Sequence, residues 1–159
     1  MEIRYSKKED ATDMMTLEHL VWTKGTTPST IHFDSPAEYL AKNPAGEKVV
    51  AVKDGGVVGI LGYHSPTPLK SNQHVATLDI AVHPDYQKQG IAQELMAYLK
   101  EHAKNEGYTK LQLRVLSKNE KAIRFYQKNG FHEEGRLEKE FILDGEPVDD
   151  IIMALFIED

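Results

Sequence analysis

Between Val82 and Ala92 the chain reads Val-His-Pro-Asp-Tyr-Gln-Lys-Gln-Gly-Ile-Ala, an apolar strand end, a polar turn and the small residues that open a helix. The first turn of a helix carries N–H groups without partners and the positive end of the helix dipole, so an anion such as a diphosphate is favoured there. A glycine at that turn, here Gly90, removes the Cβ that would hold such a group at a distance. The same glycine also suits a helix that simply begins at this point. Further along, Lys118, Lys121, Arg124 and Lys128 recur at helical spacing and make a basic stripe. Such a stripe serves a phosphate or merely faces solvent. Asn119 is the residue type that caps a helix, and Tyr126 brings a phenol to the same segment.

Other chemistries lack their residues. There is no cysteine, which removes thiol nucleophiles, disulfides and Cys-based zinc sites and fits a reducing compartment. His19, His32, His64, His83, His102 and His132 show no metal-ligand spacing, so no metal is expected. No Gly-x-Ser-x-Gly, Walker or His-Glu-x-x-His signature occurs. The 159 residues carry a net charge of −6, with 40% apolar and 28% charged residues, which describes one ordinary globular domain over residues 1–159. That charge does not invite nucleic acid or an anionic membrane. The N-terminus has no apolar core of a signal peptide, and the longest apolar run, Ile151 to Ile157, is too short to span a bilayer. A cytoplasmic location is the expectation, with a homodimer left open.

These residues need a scaffold, and the hydrophobic pattern supplies one. Ile3–Tyr5 reads as a first strand. Ser6 or Asp10 then caps a helix whose apolar face holds Ala11, Met14, Met15, Leu17, Leu20 and Val21, with Gly25 and Pro28 stopping it. A polar loop spans residues 23–34. Ser35-Pro36 opens a short second helix that ends near Asn43-Pro44. Val49–Val52 and Val57–Tyr63 form a hairpin about Asp54-Gly55-Gly56, and a further strand runs from His74 to Val82. Ile91, Leu95, Leu99 and Ala103, widened by Ala92 and Met96, mark a long helix that Gly107 ends. Leu111, Leu113 and Val115 alternate as a half-buried strand, and a helix follows from Asn119 to Asn129-Gly130. Phe131–Leu143 and Pro147–Ile157 close a last hairpin across Asp144-Gly145. The order predicts an α+β domain: a mixed, mainly antiparallel sheet of about seven strands, flanked by about four helices.

Gln87-x-x-Gly90-x-Ala92, after an apolar strand and Pro84, resembles the acetyl-CoA diphosphate loop of the GCN5-related N-acetyltransferases. The stretch from Leu113 to Phe131 resembles the same family's strand–Asn–helix–Tyr–Gly-Phe block, through Asn119, Tyr126 and Gly130-Phe131. The two motifs come in the family's order and spacing, and the expected elements cover the whole chain. The resemblance implies acetyl transfer from acetyl-CoA to an amine, by direct attack in a ternary complex. It implies that amides of the loop, Gln87, Lys88, Gln89, Gly90, Ile91 and Ala92, hold the diphosphate. Ile80, Ala81 and Val82 would splay from the neighbouring strand and bind the pantetheine arm, with a backbone N–H there polarising the carbonyl. Asn119 would reach the arm as well, and Lys128 with the rest of the stripe would meet the adenosine phosphates.

Tyr126 is the implied general acid. A phenol near pKa ~10 can protonate a departing thiolate whose acid has a pKa of about 8.5. Two positions where the family carries a catalytic glutamate read Ala76 and Arg114 here. His74, on the face of Ala76, is the candidate base through water, while Asp79 is expected on the other face; loss of the amine proton to solvent is the other route. The family's amine site lies among the first two helices and the last hairpin. That points to Glu18, Trp22, His32 and Phe33, and to Glu138, Glu140, Asp149 and Asp150 as acidic groups for a cationic small-molecule or peptide acceptor. Residues 135–146 resemble a subgroup that mixes ribosomal-protein and small-amine acetyltransferases. A CoA-binding regulatory domain with little turnover is the alternative that the absent glutamate leaves.

Overall fold

A computed structural model describes residues 1–158. Seven strands and four helices alternate along the chain: β1 (Glu2–Tyr5), α1 (Ala11–Val21), α2 (Pro36–Lys42), β2 (Val49–Lys53), β3 (Gly56–His64), β4 (Val75–Val82), α3 (Ile91–Asn105), β5 (Lys110–Leu116), α4 (Glu120–Lys128), β6 (His132–Leu143) and β7 (Glu146–Phe156). The strand order is β1-β2-β3-β4-β5-β7-β6. The β1–β2, β2–β3, β5–β7 and β6–β7 pairs are antiparallel and β4–β5 is parallel, which is the mixed α+β sheet expected. Short 3₁₀ turns at Lys8–Asp10, Lys70–Asn72 and Pro84–Tyr86 were not legible in the hydrophobic pattern.

The chain divides into two compact units. One comprises Met1–Trp22, Ile31–Tyr63 and Asp79–Leu99, and the other Thr23–Thr30, His64–Leu78 and Lys100–Asp159. In the first, Ala11, Met14 and Leu17 of α1 and Tyr39 of α2 pack on Val50, Val57, Ile60 and Ala81. On Gly59 the chain needs the absence of a side chain, since an added Cβ would lie 3.0 Å from both Ile91 Cγ2 and Leu95 Cδ1 of α3. The Asp54-Gly55 turn has φ of 54° and 79°, the two positive values that a two-residue hairpin turn demands. In the second unit Asp144-Gly145 repeats this with 51° and 79°, and β5 and β7 pair from Lys110–Phe156 to Leu116–Asp150. A break in the β6–β7 register between Leu137 and Phe141 contains Lys139 at φ 51°.

Two expectations for α1 need correction. Its apolar face was drawn through Leu20, but Leu20 is 47% exposed and Glu18 is 4% exposed. At 3.6 residues per turn, position 18 falls on the stripe of Met14 and Val21, and position 20 falls off it. Asp10 precedes the helix but makes no side-chain cap. Its carboxylate instead takes both nitrogens of the Arg4 guanidinium, at 2.7 and 3.0 Å, and the Lys7 N–H at 2.7 Å. Ser35 does cap α2, accepting the Glu38 N–H, with Pro36 in the first turn.

The Arg4 guanidinium, aided by the Lys7 N–H, holds the nearly buried Asp10 carboxyl below the ordinary aspartate range. Its stabilisation is therefore complete above that range and is lost as pH falls through the lowered value. Asp10→Asn is expected to lower the unfolding free energy by about 2 kcal/mol at neutral pH, with the gap to the parent chain closing as pH falls below the ordinary aspartate range. Urea titrations of both proteins at neutral and at acid pH check this.

Candidate functional site

The Val82–Ala92 turn is built within the first unit. β4 ends at Val82, and Pro84–Tyr86 forms a single 3₁₀ turn in which the His83 Nδ1 accepts the Asp85 N–H at 3.1 Å. The His83 N–H donates to Val58 at 2.8 Å and the Tyr86 hydroxyl to Asp54 at 3.3 Å, so both ends of the turn are tied to the β2–β3 hairpin. Gln87 reaches back to the Val82 carbonyl at 3.4 Å, and the Gln89 side chain accepts from Lys53 at 2.8 Å. Between them the backbone changes hand twice, with Lys88 at φ 63° and Gly90 at φ 80°. Alternating handedness turns successive N–H groups toward one concavity and makes an anion nest. The Gly90 carbonyl accepts the Glu94 N–H at 3.0 Å, so the amides of Ile91 and Ala92 belong to the first turn, where a helix has no acceptor of its own.

Gly90 has a second reason to be glycine. A Cβ built on it meets nothing within 4 Å, so the space in front of the turn is open, while its φ is one that side-chain-bearing residues rarely adopt. The turn suits a diphosphate: residues 87–90 are exposed, the first-turn amides have no helical acceptor, and residues 87–92 contribute no carboxylate. Among the described residues the β4–β5 ladder covers Val75–Thr77 against Lys110–Gln112, and Ile80, Ala81 and Val82 lie past its end.

The second unit holds the α4 groups. Asn119 caps the helix, accepting the Ala122 N–H at 3.3 Å, which is the capping role its type suggested. Tyr126 is 8% exposed, with its ring edge-on to Phe125 and Phe131 at 5.3 and 5.5 Å. The helix ends on buried Asn129, whose side-chain amide donates to the Phe125 carbonyl, and Gly130 at φ 94° then lets the Phe131 N–H return to the Tyr126 carbonyl. Tyr126 is thus held through its backbone and by edge contacts of its ring with two aromatic neighbours. The basic stripe is partly neutralised: Lys118 pairs with Glu146 at 3.1 Å and Arg124 with Glu120 at 3.8 Å. Lys128 is exposed.

Several expected residues sit elsewhere. His74 is exposed and precedes β4, its carbonyl accepting the Thr109 and Lys110 N–H groups. Arg114 pairs with nearly buried Asp150 at 2.6 Å. Asp149 accepts from Arg136 at 2.7 Å and from the Lys139 N–H at 2.8 Å, so it fixes the irregular stretch of β6, while Glu138 and Glu140 face solvent. Of the four acids expected on the last hairpin, Asp149 and Asp150 are therefore engaged by the sheet itself, and Glu138 and Glu140 are exposed. In the first unit Phe33 donates its N–H to His19 Nε2 at 3.0 Å, His32 stacks on His19 at 5.1 Å, and Phe33 meets Tyr39 edge-on at 4.9 Å. Glu18 is paired with Lys48 at 3.3 Å. Sequence reading passed over Tyr39 and Lys48, and the one available signal was a glutamate on the apolar stripe of α1, which implies buried partners.

The model of the Acetyltransferase (GNAT) family matches residues 12–131. An L-amino acid N-acetyltransferase, AaaT, of Escherichia coli K12 is 36% identical over 119 residues, 74% of this chain and 72% of that protein. A spermidine N(1)-acetyltransferase of the same organism is 37% identical over 86 residues, 51% of this chain and 44% of that one. The crystal structure of smu.2055 from Streptococcus mutans UA159 superposes with a TM-score of 0.91 at 33% identity, covering 99% of this chain and 100% of that one. The chain belongs to the GNAT family of acetyltransferases, and acetyl transfer from acetyl-CoA to an amine is favoured over a regulatory CoA-binding role. Among the described residues no cluster of potential metal ligands occurs and no helix is long and apolar enough to cross a membrane.

Two substitutions at Gly90 separate backbone strain from charge. Gly90→Ala is expected to cost about 1 kcal/mol of stability through its φ and to weaken acetyl-CoA several-fold. Gly90→Glu, with a carboxylate facing the diphosphate, is expected to weaken it by more than a hundredfold at a similar stability. Calorimetric titration of both folded variants with acetyl-CoA decides, and equal affinities for the two would show that the turn does not meet the phosphates.

Proposed function

We propose that residues 1–159 work as one acyltransferase domain that acetylates a small-molecule or peptide amine by direct attack in a ternary complex. The observation that carries the reading is the Lys88–Gly90 turn, with two positive φ values at the start of α3 and open space in front of Gly90. The amides of residues 87–92 and the Lys88 ammonium bind the diphosphate, and Lys128 offers charge to the other phosphate. Ile80, Ala81 and Val82 supply main-chain groups for the pantetheine arm and an N–H for the thioester carbonyl. Acetyl-CoA supplies an acyl group already activated as a thioester.

Tyr126 is assigned the acid. Its O–H gives a proton to the sulfur as the C–S bond breaks, and the phenolate regains one from solvent. Burial of the ring and its two aromatic neighbours hold the side chain in one place, so the proton is delivered from a fixed position. With no cysteine in the chain, an acetyl-cysteine intermediate is excluded and the amine attacks the thioester itself. The amine loses its proton to His74 through water or directly to solvent. The cytoplasmic location and a homodimer stay with this reading as expectations from the sequence.

Tyr126→Phe keeps the ring and its edge contacts and deletes only the hydroxyl. It is expected to lower kcat about a hundredfold with little change in the KM for acetyl-CoA, because the lost contact strengthens only in the transition state. Steady-state kinetics with any acceptor found by CoA release test this, and an unaltered kcat would reduce Tyr126 to a packing residue.

A further inference from the structure

Of the contacts that tie the Val82–Ala92 turn to the β2–β3 hairpin, one brings a charge with it. Lys53, the last residue of β2, donates its ammonium to the Gln89 side-chain oxygen at 2.8 Å. Lys53 is half-buried and Gln89 is exposed. Strand alternation puts Lys53 on the face of Ala51. That face meets α3, because a Cβ added at Gly59 would lie 3.4 Å from Ala51 Cβ and 3.0 Å from the Ile91 and Leu95 side chains. The lysine therefore rises on the side of the sheet where α3 begins.

Arg4, Lys42 and Lys48 of the same unit each face a carboxylate: Asp10 at 2.7 Å, Glu38 at 3.4 Å and Glu18 at 3.3 Å. Lys53 is held by a neutral amide instead. The carboxylates of the hairpin tip and the turn face other donors. Asp54 accepts the Tyr86 hydroxyl at 3.3 Å, and Asp85 lies 4.0 Å from His83 Nδ1. An ammonium taken partly out of water gains much less from an amide oxygen than from an anion, so its charge stays uncompensated.

The ligand expected at this turn carries a negative charge on each phosphorus of its diphosphate. Residues 87–92 contribute a single cation, Lys88, and main-chain amides add dipoles but no net charge. Lys53 reaches the turn from a different element, through the residue immediately before Gly90. Its flexible stem lets the ammonium exchange one oxygen for another by rotation about side-chain bonds. Phosphate oxygens are anionic acceptors and displace a neutral amide oxygen from an ammonium.

We propose that Lys53 is a further diphosphate-binding residue. In the free chain its ammonium braces the turn through Gln89, and when acetyl-CoA binds it moves to the diphosphate and supplies the second positive charge beside Lys88. This rests on the acetyl-transfer reading and adds to the cofactor site a residue from outside the sequence motif.

Calorimetric titrations of the whole chain with CoA and with dephospho-CoA, each at low and at high salt, test this. Lys53→Gln retains an N–H donor but removes the charge. It is expected to weaken CoA about tenfold at low salt, with most of that difference lost at high salt, where the charge is screened. Dephospho-CoA should be weakened by the same factor, since it keeps the diphosphate. Lys53→Arg keeps the charge and is expected to stay within about twofold of the parent. An unaltered CoA affinity in Lys53→Gln overturns the proposal. A loss that persists at high salt, or that arginine does not rescue, also overturns it, because either is what a purely structural brace gives. A loss seen with CoA and absent with dephospho-CoA moves Lys53 to the ribose phosphate and overturns the diphosphate assignment. In each of these cases normal CoA binding by the parent leaves the acetyl-transfer reading standing. A parent chain that binds neither CoA nor acetyl-CoA overturns both.

Discussion

Between Val82 and Ile91 the chain must leave a strand, reverse and enter a helix while keeping its amides turned outward to open space. Two residues in the left-handed region solve this. Lys88 accepts a conformation that costs a side-chain-bearing residue energy, and Gly90 takes the one that most residues avoid. The strain is held by contacts on either side: His83 and Tyr86 to the β2–β3 hairpin, Gln87 to Val82 and Gln89 to Lys53. A turn so tied keeps its amides oriented before any ligand arrives, and preorganised dipoles are what make backbone anion sites effective.

The same economy governs α4. Nine residues make a helix too short to persist alone, so Asn119 closes its start and Asn129 with Gly130 closes its end. Lys100 adds a bond to the Asn129 carbonyl at 2.7 Å. These caps position Tyr126 between Phe125 and Phe131. A phenol held by its neighbours' rings cannot swing with solvent, which suits the acid role proposed for it.

The buried and half-buried carboxylates are defined by what satisfies them. Asp10 is saturated by Arg4 and the Lys7 N–H, Asp149 by Arg136 and the Lys139 N–H, and Asp150 is held by Arg114. Glu18 is engaged by Lys48 through one oxygen and lies against the Tyr39 phenol inside the unit. These acids stabilise the fold and have little left to offer a ligand. Acidity in the sequence therefore said little about which acids are engaged.

Local rules carried most of the architecture. The apolar spacing of Ile91, Leu95, Leu99 and Ala103, the Asp-Gly hairpin turns, the Ser35-Pro36 helix start and the Asn119 cap are all short-range chemistry, and each is present in the fold. The turn at Gly90 and the Tyr126 helix were legible for the same reason, because a motif is a set of residues near one another in the chain. Tertiary structure decided what depends on partners distant in sequence. It buried Glu18 and exposed Leu20, gave Asp10 to Arg4 instead of to the helix, spent Asp149 and Asp150 on the last strands, and set Tyr39 and Asp79 near Glu18. A charged side chain's role follows from its neighbours in space, and those are fixed only when helices dock on the sheet and exclude water from between them.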